Sequence, residues 1–149
     1  MKRIPIFFSA LLLVFVLSSC CHKKGCLEET SFSSLHFYGF SSKEELDSVI
    51  LYQYAKNTNF ALRIDSVAMR QEVDSANQYY VVSSEHLLPT DFDYKIKVEG
   101  FEKEYQLNNF KIDKRVCNAC LFGNDYYSVL VSYQLDNSTK QGRSIQIIK

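Results

Sequence analysis

The chain has 149 residues, 17 Lys+Arg balanced by 17 Asp+Glu, and is 46% hydrophobic and 14% aromatic. One domain is the default at that length, and the apolar content excludes a disordered chain. The zero formal charge leaves no basic footprint, which argues against nucleic-acid binding as the main role.

The chain opens on Lys2 and Arg3, followed by an apolar run from Ile4 to Leu17 broken by Pro5 and Ser9, then Ser18, Ser19 and Cys20. A positive start, an apolar core and small residues at the exit are the parts of a secretory signal peptide, expected over residues 1–19. An apolar run of about 14 residues at ~1.5 Å rise covers roughly 21 Å, short of the ~30 Å hydrocarbon layer, so a membrane span is disfavoured. Leu17-Ser18-Ser19-Cys20 resembles the bacterial lipobox, in which an apolar residue and two small ones precede a cysteine. The resemblance implies that Cys20 is acylated and becomes the first mature residue. Cys21 fits less well, because it would place Ser18 where the family has a branched apolar residue. Each buried CH₂ of an acyl chain contributes about 0.8 kcal/mol, so two or three chains hold a protein on a bilayer. Removal of residues 1–19 takes away Lys2 and Arg3 and no acid, so 15 cations against 17 acids give a mature charge of −2. The basic Cys21-His22-Lys23-Lys24 stretch lacks the acidic run of some surface-exported lipoproteins, which by analogy points to a periplasm-facing anchor.

Residues 20–31 read as a lipidated tether: polar, with Gly25 and no periodicity. The domain, expected over 32–149, then follows the period of a β-strand. Leu35 and Phe37 alternate with His36 and Tyr38. Ser41 through Glu45 carries a Ser cap and acids suited to one helical turn. Val49–Tyr54 is apolar or aromatic except Gln53, the mark of a strand at a sheet centre or buried on both faces. Asn57-Thr58-Asn59 supplies turn chemistry before the alternating run from Phe60 to Asp65. The segment 66–76 is ambiguous between strand, loop and short helix. Tyr79–Val82 begins another apolar stretch ending near Pro89, Tyr94, Ile96 and Val98 alternate with charges, and Gly100 turns the chain. Tyr105 and Leu107 share a parity that Phe110 and Ile112 do not, which predicts a bulge or bend at Asn108-Asn109. Tyr127 to Leu135 alternates cleanly, 136–142 reads as a loop, and Ile145 and Ile147 close the chain as a strand.

Seven or eight short strands at this spacing predict an all-β fold, an antiparallel β-sandwich of immunoglobulin-like or transthyretin-like type. The chain has no Trp, so the Cys…Trp…Cys arrangement of an antibody domain is excluded.

Few residues carry candidate chemistry. Cys117-Asn118-Ala119-Cys120 has the spacing of a reactive thiol pair, but no βαβ alternation or following helix supports a redox enzyme. A structural disulfide fits better, either Cys117 to Cys120 or one of them to Cys26 across ~90 residues. A zinc site would need Cys21, Cys26, Cys117 and Cys120, with His22 as a substitute, and only one pair has good spacing. His36 and His86 form no HxH or HExxH pattern, and Asp91/Asp93 and Glu102/Glu104 read as solvated acids. No Gly-rich phosphate loop and no GxSxG are present. No catalytic residue, metal or cofactor is therefore expected. Tyr38, Tyr52, Tyr54, Tyr79, Tyr80, Tyr126 and Tyr127 exceed what one sheet face needs; packing is the ordinary use for most of them, and an outward cluster would bind a sugar or a protein.

The plan of lipobox, tether and one β domain resembles the small single-domain bacterial lipoproteins. The leading expectation is a non-enzymatic envelope protein that binds a protein partner or serves as an accessory subunit. A thiol redox or metal protein centred on Cys117 and Cys120 is the second reading, and a glycan-binding or surface-appendage subunit the third.

Overall fold

The computed structural model describes residues 26–72, 79–120 and 123–149, so the expected signal peptide, Cys20, Cys21 and His22 lie outside the described residues. Nine strands follow in order: β1 (Ser31–Tyr38), β2 (Val49–Ala55), β3 (Arg63–Glu72), β4 (Tyr79–Pro89), β5 (Phe92–Val98), β6 (Glu104–Cys120), β7 (Gly123–Leu135), β8 (Ser138–Gln141) and β9 (Ile145–Ile148). A 3₁₀ turn, Lys43–Leu46, sits where the Ser cap predicts one, with the Ser41 amide donating to Glu45 Oε2 at 3.2 Å. Among the described residues no helix is long and apolar enough to cross a membrane.

The chain divides into a smaller unit, Met1–Glu28 with Lys114–Ser128, and a larger one, Glu29–Asp113 with Val129–Lys149. In the smaller unit Cys26 and Cys117 form a disulfide with Cα atoms 6.0 Å apart and 91 residues of separation. Of the pairings open in the sequence, this is the long one. Cys117 to Cys120 is not a loop but the end of β6.

The all-β expectation holds, but the hydrogen bonding draws one mixed sheet in the order β8-β7-β6-β5-β2-β3-β4-β1-β9, where two packed antiparallel sheets were expected. The physical reason is β3. Its first part pairs with β2 as far as Met69 opposite Val49, and Arg70 to Glu72 then pair with β4. One strand that changes partner joins what would otherwise be two sheets. The sheet is mixed because β9 runs parallel to β1, Leu35 opposite Ile145. The fifth of the nine strands is β2, at the centre that its apolar run predicts.

Two local devices turn the right side chains inward. A register shift between Phe32 and Ser34 lets even-numbered Phe32 and odd-numbered Leu35 and Phe37 all reach the core. Asn109, with φ 49°, does the same between Leu107 and Phe110, as the parity change predicts. Phe32, Tyr94 and Phe110 meet at ring-centre distances of 5.4 to 6.2 Å. The Tyr94 hydroxyl donates to the Pro89 carbonyl at 2.7 Å, so its ring is buried without a stranded polar group.

The segment 136–142, expected as a loop, contains β8. Asp136 and Asn137 take φ values of 50° and 65°, the pair of left-handed residues that a two-residue hairpin needs, and Leu135 then faces Ser138. Asp136 Oδ1 also accepts from the Gln106 amide at 2.8 Å, which ties this turn to β6.

Within the larger unit the sheet curls until its ends face one another. Glu29 bridges in parallel to Val129, and the Leu130 amide donates to the Glu29 carbonyl at 2.9 Å. Further along, no ladder joins β8 to β9 among the described residues. The buried Tyr133 hydroxyl donates to the Ser144 carbonyl at 3.0 Å and accepts from the Gln146 amide at 2.8 Å. A side chain closes the seam where backbone pairing stops.

Candidate binding surfaces

Three places in the larger unit gather polar and aromatic side chains. The first is the outward side of the sheet centre. Val49 and Leu51 point into the core, so period two turns Ile50, Tyr52 and Tyr54 outward. Across the ladders Tyr52 is opposite Lys95, Ile50 opposite Lys97 and Tyr54 opposite Arg63. The Arg63 guanidinium lies 4.1 Å from the centre of the Tyr52 ring. Lys95 Nζ lies 5.6 Å from Tyr54 and 5.4 Å from Phe60, and those two rings meet edge to face at 5.5 Å. Cations at these distances are held by the negative face of the ring.

Phe60 reaches this face because the β2–β3 turn is held tightly. Asn57, Asn59 and Phe60 all have positive φ, 62°, 50° and 58°. That conformation suits Asn and costs a phenylalanine roughly 1–2 kcal/mol. Asp93 Oδ2 accepts from the Asn57 amide at 3.1 Å and Thr58 Oγ1 donates to the Ala55 carbonyl at 2.6 Å. Asp93 is therefore buried at 6% exposure, a correction to its reading as a solvated loop acid. Residue type alone did not distinguish it from Asp91, which is exposed. Its carboxylate anchors the turn that presents Phe60.

The second place is a cleft of about 340 Å³ between the start of β1, Leu87 of β4, Leu130 of β7 and the Arg143-Ser144 link. Arg143 Nη1 bonds Glu29 Oε1 at 2.7 Å and lies 2.6 Å from Oε2, so the cleft's one cation is neutralised. Ser144 Oγ is buried there with no hydrogen-bond partner. His36 reaches the same cleft and stacks on Tyr79 at 5.0 Å, and Tyr38 packs on the same Tyr79 ring at 5.1 Å. Burial lowers the His36 pKa, which favours a neutral imidazole. Among the described residues the cleft shows no hydroxyl hydrogen-bonded to His36, and the expectation of an edge residue is corrected: β1 is paired on both sides, His36 facing Val81 of β4 and Gln146 of β9.

The third is a slot of about 250 Å³ at the seam, lined by Lys103, Tyr105, Asp136, Lys140, Gln146 and Ile148 among others. Lys103 pairs with Asp136 at 3.3 Å and covers the Tyr105 ring at 4.3 Å.

Of the residues singled out from sequence, Cys26 and Cys117 are brought together and the Cys120 side chain lies outside the described ones. His86, Glu102 and Glu104 are exposed, consistent with solvated groups. The tyrosines divide sharply. All seven named for surface surplus are outside the buried class, whereas Tyr94, Tyr105 and Tyr133 are buried. The expectation of core or cross-strand packing fits most of the seven: Tyr38 packs on Tyr79 across β1 and β4, Tyr54 on Phe60, Tyr52 under Arg63, and Tyr80 against the core, which fully buries the other three. Arg63, Lys95 and Phe60 were missed as site residues. The only signal for them was the strand period, which puts Lys95 across from an aromatic strand once the pairing is known. Among the described residues no cluster of three metal-ligating side chains occurs. No family model, curated protein or solved structure matches the chain.

Proposed function

We propose that this chain is a lipid-anchored protein of the bacterial cell envelope, held on the membrane through acylated Cys20 and facing the periplasm, whose β domain is a non-enzymatic binding or accessory module. The lipobox and the short tether support the anchor. The observation that carries the binding role is the outward Tyr52–Tyr54–Phe60 face with Arg63 and Lys95 seated on its rings. Tyrosine and arginine are the residue types that dominate contact energies, and a strained turn that sets a ring on a surface is characteristic of ligand-contacting sites. An immunoglobulin-like or transthyretin-like description is accommodated if β3 is taken as a corner strand shared by two layers.

Two measurements test this reading. Metabolic labelling with a palmitate analogue is expected to mark the wild type and the Cys21→Ala variant and to leave Cys20→Ala unmarked; label retained in Cys20→Ala refutes the anchor. Crosslinking in cells followed by purification is expected to recover a ligand or partner that Tyr54→Ala loses. Equal recovery by both refutes the face as the contact surface. The thiol reading is weakened by the engagement of Cys117 with Cys26 rather than with Cys120.

A further inference from the structure

We propose that the central face formed by Tyr52, Tyr54, Phe60, Arg63 and Lys95 binds an acidic polysaccharide, with uronate-type carboxylates on the cations and sugar C–H faces on the rings. This deepens the binding-module reading and rests on it.

Charge is the first argument. The mature chain is mildly acidic, yet Arg63, Lys95 and Lys97 project from this face with no carboxylate within 4.0 Å among the described residues. Asp93, the acid opposite Tyr54, is buried and turned to the Asn57 amide. Glu104 stands opposite Lys97 in the β5–β6 ladder without forming an ion pair among the described residues, so Arg63 and Lys95 leave this face a local excess of positive charge. A guanidinium resting on an aromatic ring is held in place while its N–H groups stay free for a carboxylate.

Topology is the second. The fifth of nine strands is β2, and its backbone groups are taken by β3 and β5. An extended acidic peptide finds no free strand edge here to pair with, and the cleft and the slot are lined by other residues. A folded acidic partner of ordinary affinity needs an interface of ~800 Å² a side with a core depleted of charge, whereas these rings are half-buried and interleaved with cations. A polysaccharide needs neither. Its flat C–H faces lie on ring surfaces, and its repeated carboxylates meet the cations beside those rings.

The test uses the full chain in non-ionic detergent, with polygalacturonate as probe, dextran as neutral control and poly-L-glutamate as acidic peptide control, by affinity electrophoresis and titration calorimetry. Binding is expected to polygalacturonate alone and to weaken several-fold from 50 to 300 mM salt. Lys95→Gln and Arg63→Gln are each expected to weaken it roughly fivefold or more, Tyr54→Ala similarly, and Arg63→Lys less than Arg63→Gln. Tyr126→Ala, an exposed aromatic in the smaller unit, is expected to leave it unchanged. Circular dichroism and thermal melts identify any variant that fails to fold, and Arg63→Lys and Lys95→Gln, which alter exposed or half-exposed side chains, keep the comparison open. The proposal is overturned if polygalacturonate does not bind, if dextran or poly-L-glutamate binds as well, or if Arg63→Gln and Lys95→Gln bind like wild type. If polygalacturonate is silent while Tyr54→Ala still loses a crosslinked partner in cells, the sugar assignment fails and the binding-module reading survives.

Discussion

Replacement of Tyr133 by Phe isolates the hydrogen bonds that close the seam between β7 and β9. The ring is 1% exposed and Phe keeps its shape, so packing stays and only the hydroxyl goes. Two bonds disappear together, one to the Ser144 carbonyl at 3.0 Å and one from the Gln146 amide at 2.8 Å. A neutral hydrogen bond contributes a net ~0.5–1.5 kcal/mol, so the pair is worth about 1–3 kcal/mol. The full desolvation penalty of two buried groups is not expected, because both bonds are only part-buried, with Gln146 exposed and Ser144 half-buried. Urea unfolding is expected to show this loss at unchanged m-value. Amide exchange at Gln146 is expected to accelerate more than exchange at Ile96 in the sheet core. Tyr94→Phe is the internal standard, as it removes a single bond to Pro89 and is expected to cost about half as much. Tyr133→Phe with wild-type stability and an equally protected Gln146 amide refutes the idea that a side chain closes the seam.

Opening the Cys26–Cys117 disulfide, either with reductant or as Cys26→Ser/Cys117→Ser, frees a loop of 91 residues and is expected to cost about 4–5 kcal/mol in the chain-entropy model. Comparison of urea midpoints with free-thiol counts checks it, and an unchanged midpoint with the bond demonstrably open refutes it. Asn137→Val places a β-branched residue at φ 65° and is expected to lower stability by about 1–2 kcal/mol, read from thermal melts at equal ΔCp. Burial lowers the His36 pKa, so the unfolded chain binds the proton more readily than the folded one. That contribution to stability is full above the unfolded value near 6.5 and is lost as pH falls through the folded one. His36→Gln is expected to flatten this fall between pH 7 and 5 relative to wild type. Burial raises the Tyr94, Tyr105 and Tyr133 phenols above the ordinary range, so stability is expected to decline as pH rises past 10. An absorbance titration with all ten tyrosines ionising together near pH 10 in the folded protein refutes that.

Strand content, the parity change at Asn109, the Asn57–Asn59 turn and the central position of β2 were legible because each follows from side-chain period and local backbone preference. Period two and a parity change need no knowledge of the partner strand. The long disulfide was legible only as one choice among several, because cysteine spacing says nothing of which strand end lies near Cys26. The sheet order, the partner change at Met69–Arg70 and the parallel β1–β9 pair were decided by tertiary structure, since pairing energies depend on long-range contacts absent from any local window. The β8 hairpin was hidden for a different reason: Asp136-Asn137 is a two-residue turn of left-handed residues without glycine. The same division holds for the candidate site. Sequence named seven tyrosines as more than one sheet face needs, but only the fold showed that the core fully buries the other three, and only the ladders set Lys95 and Arg63 onto the rings of Tyr54 and Tyr52. Composition reported a balanced charge; the fold sorted that charge into a cationic, aromatic face, because strand pairing decides which side chains become neighbours.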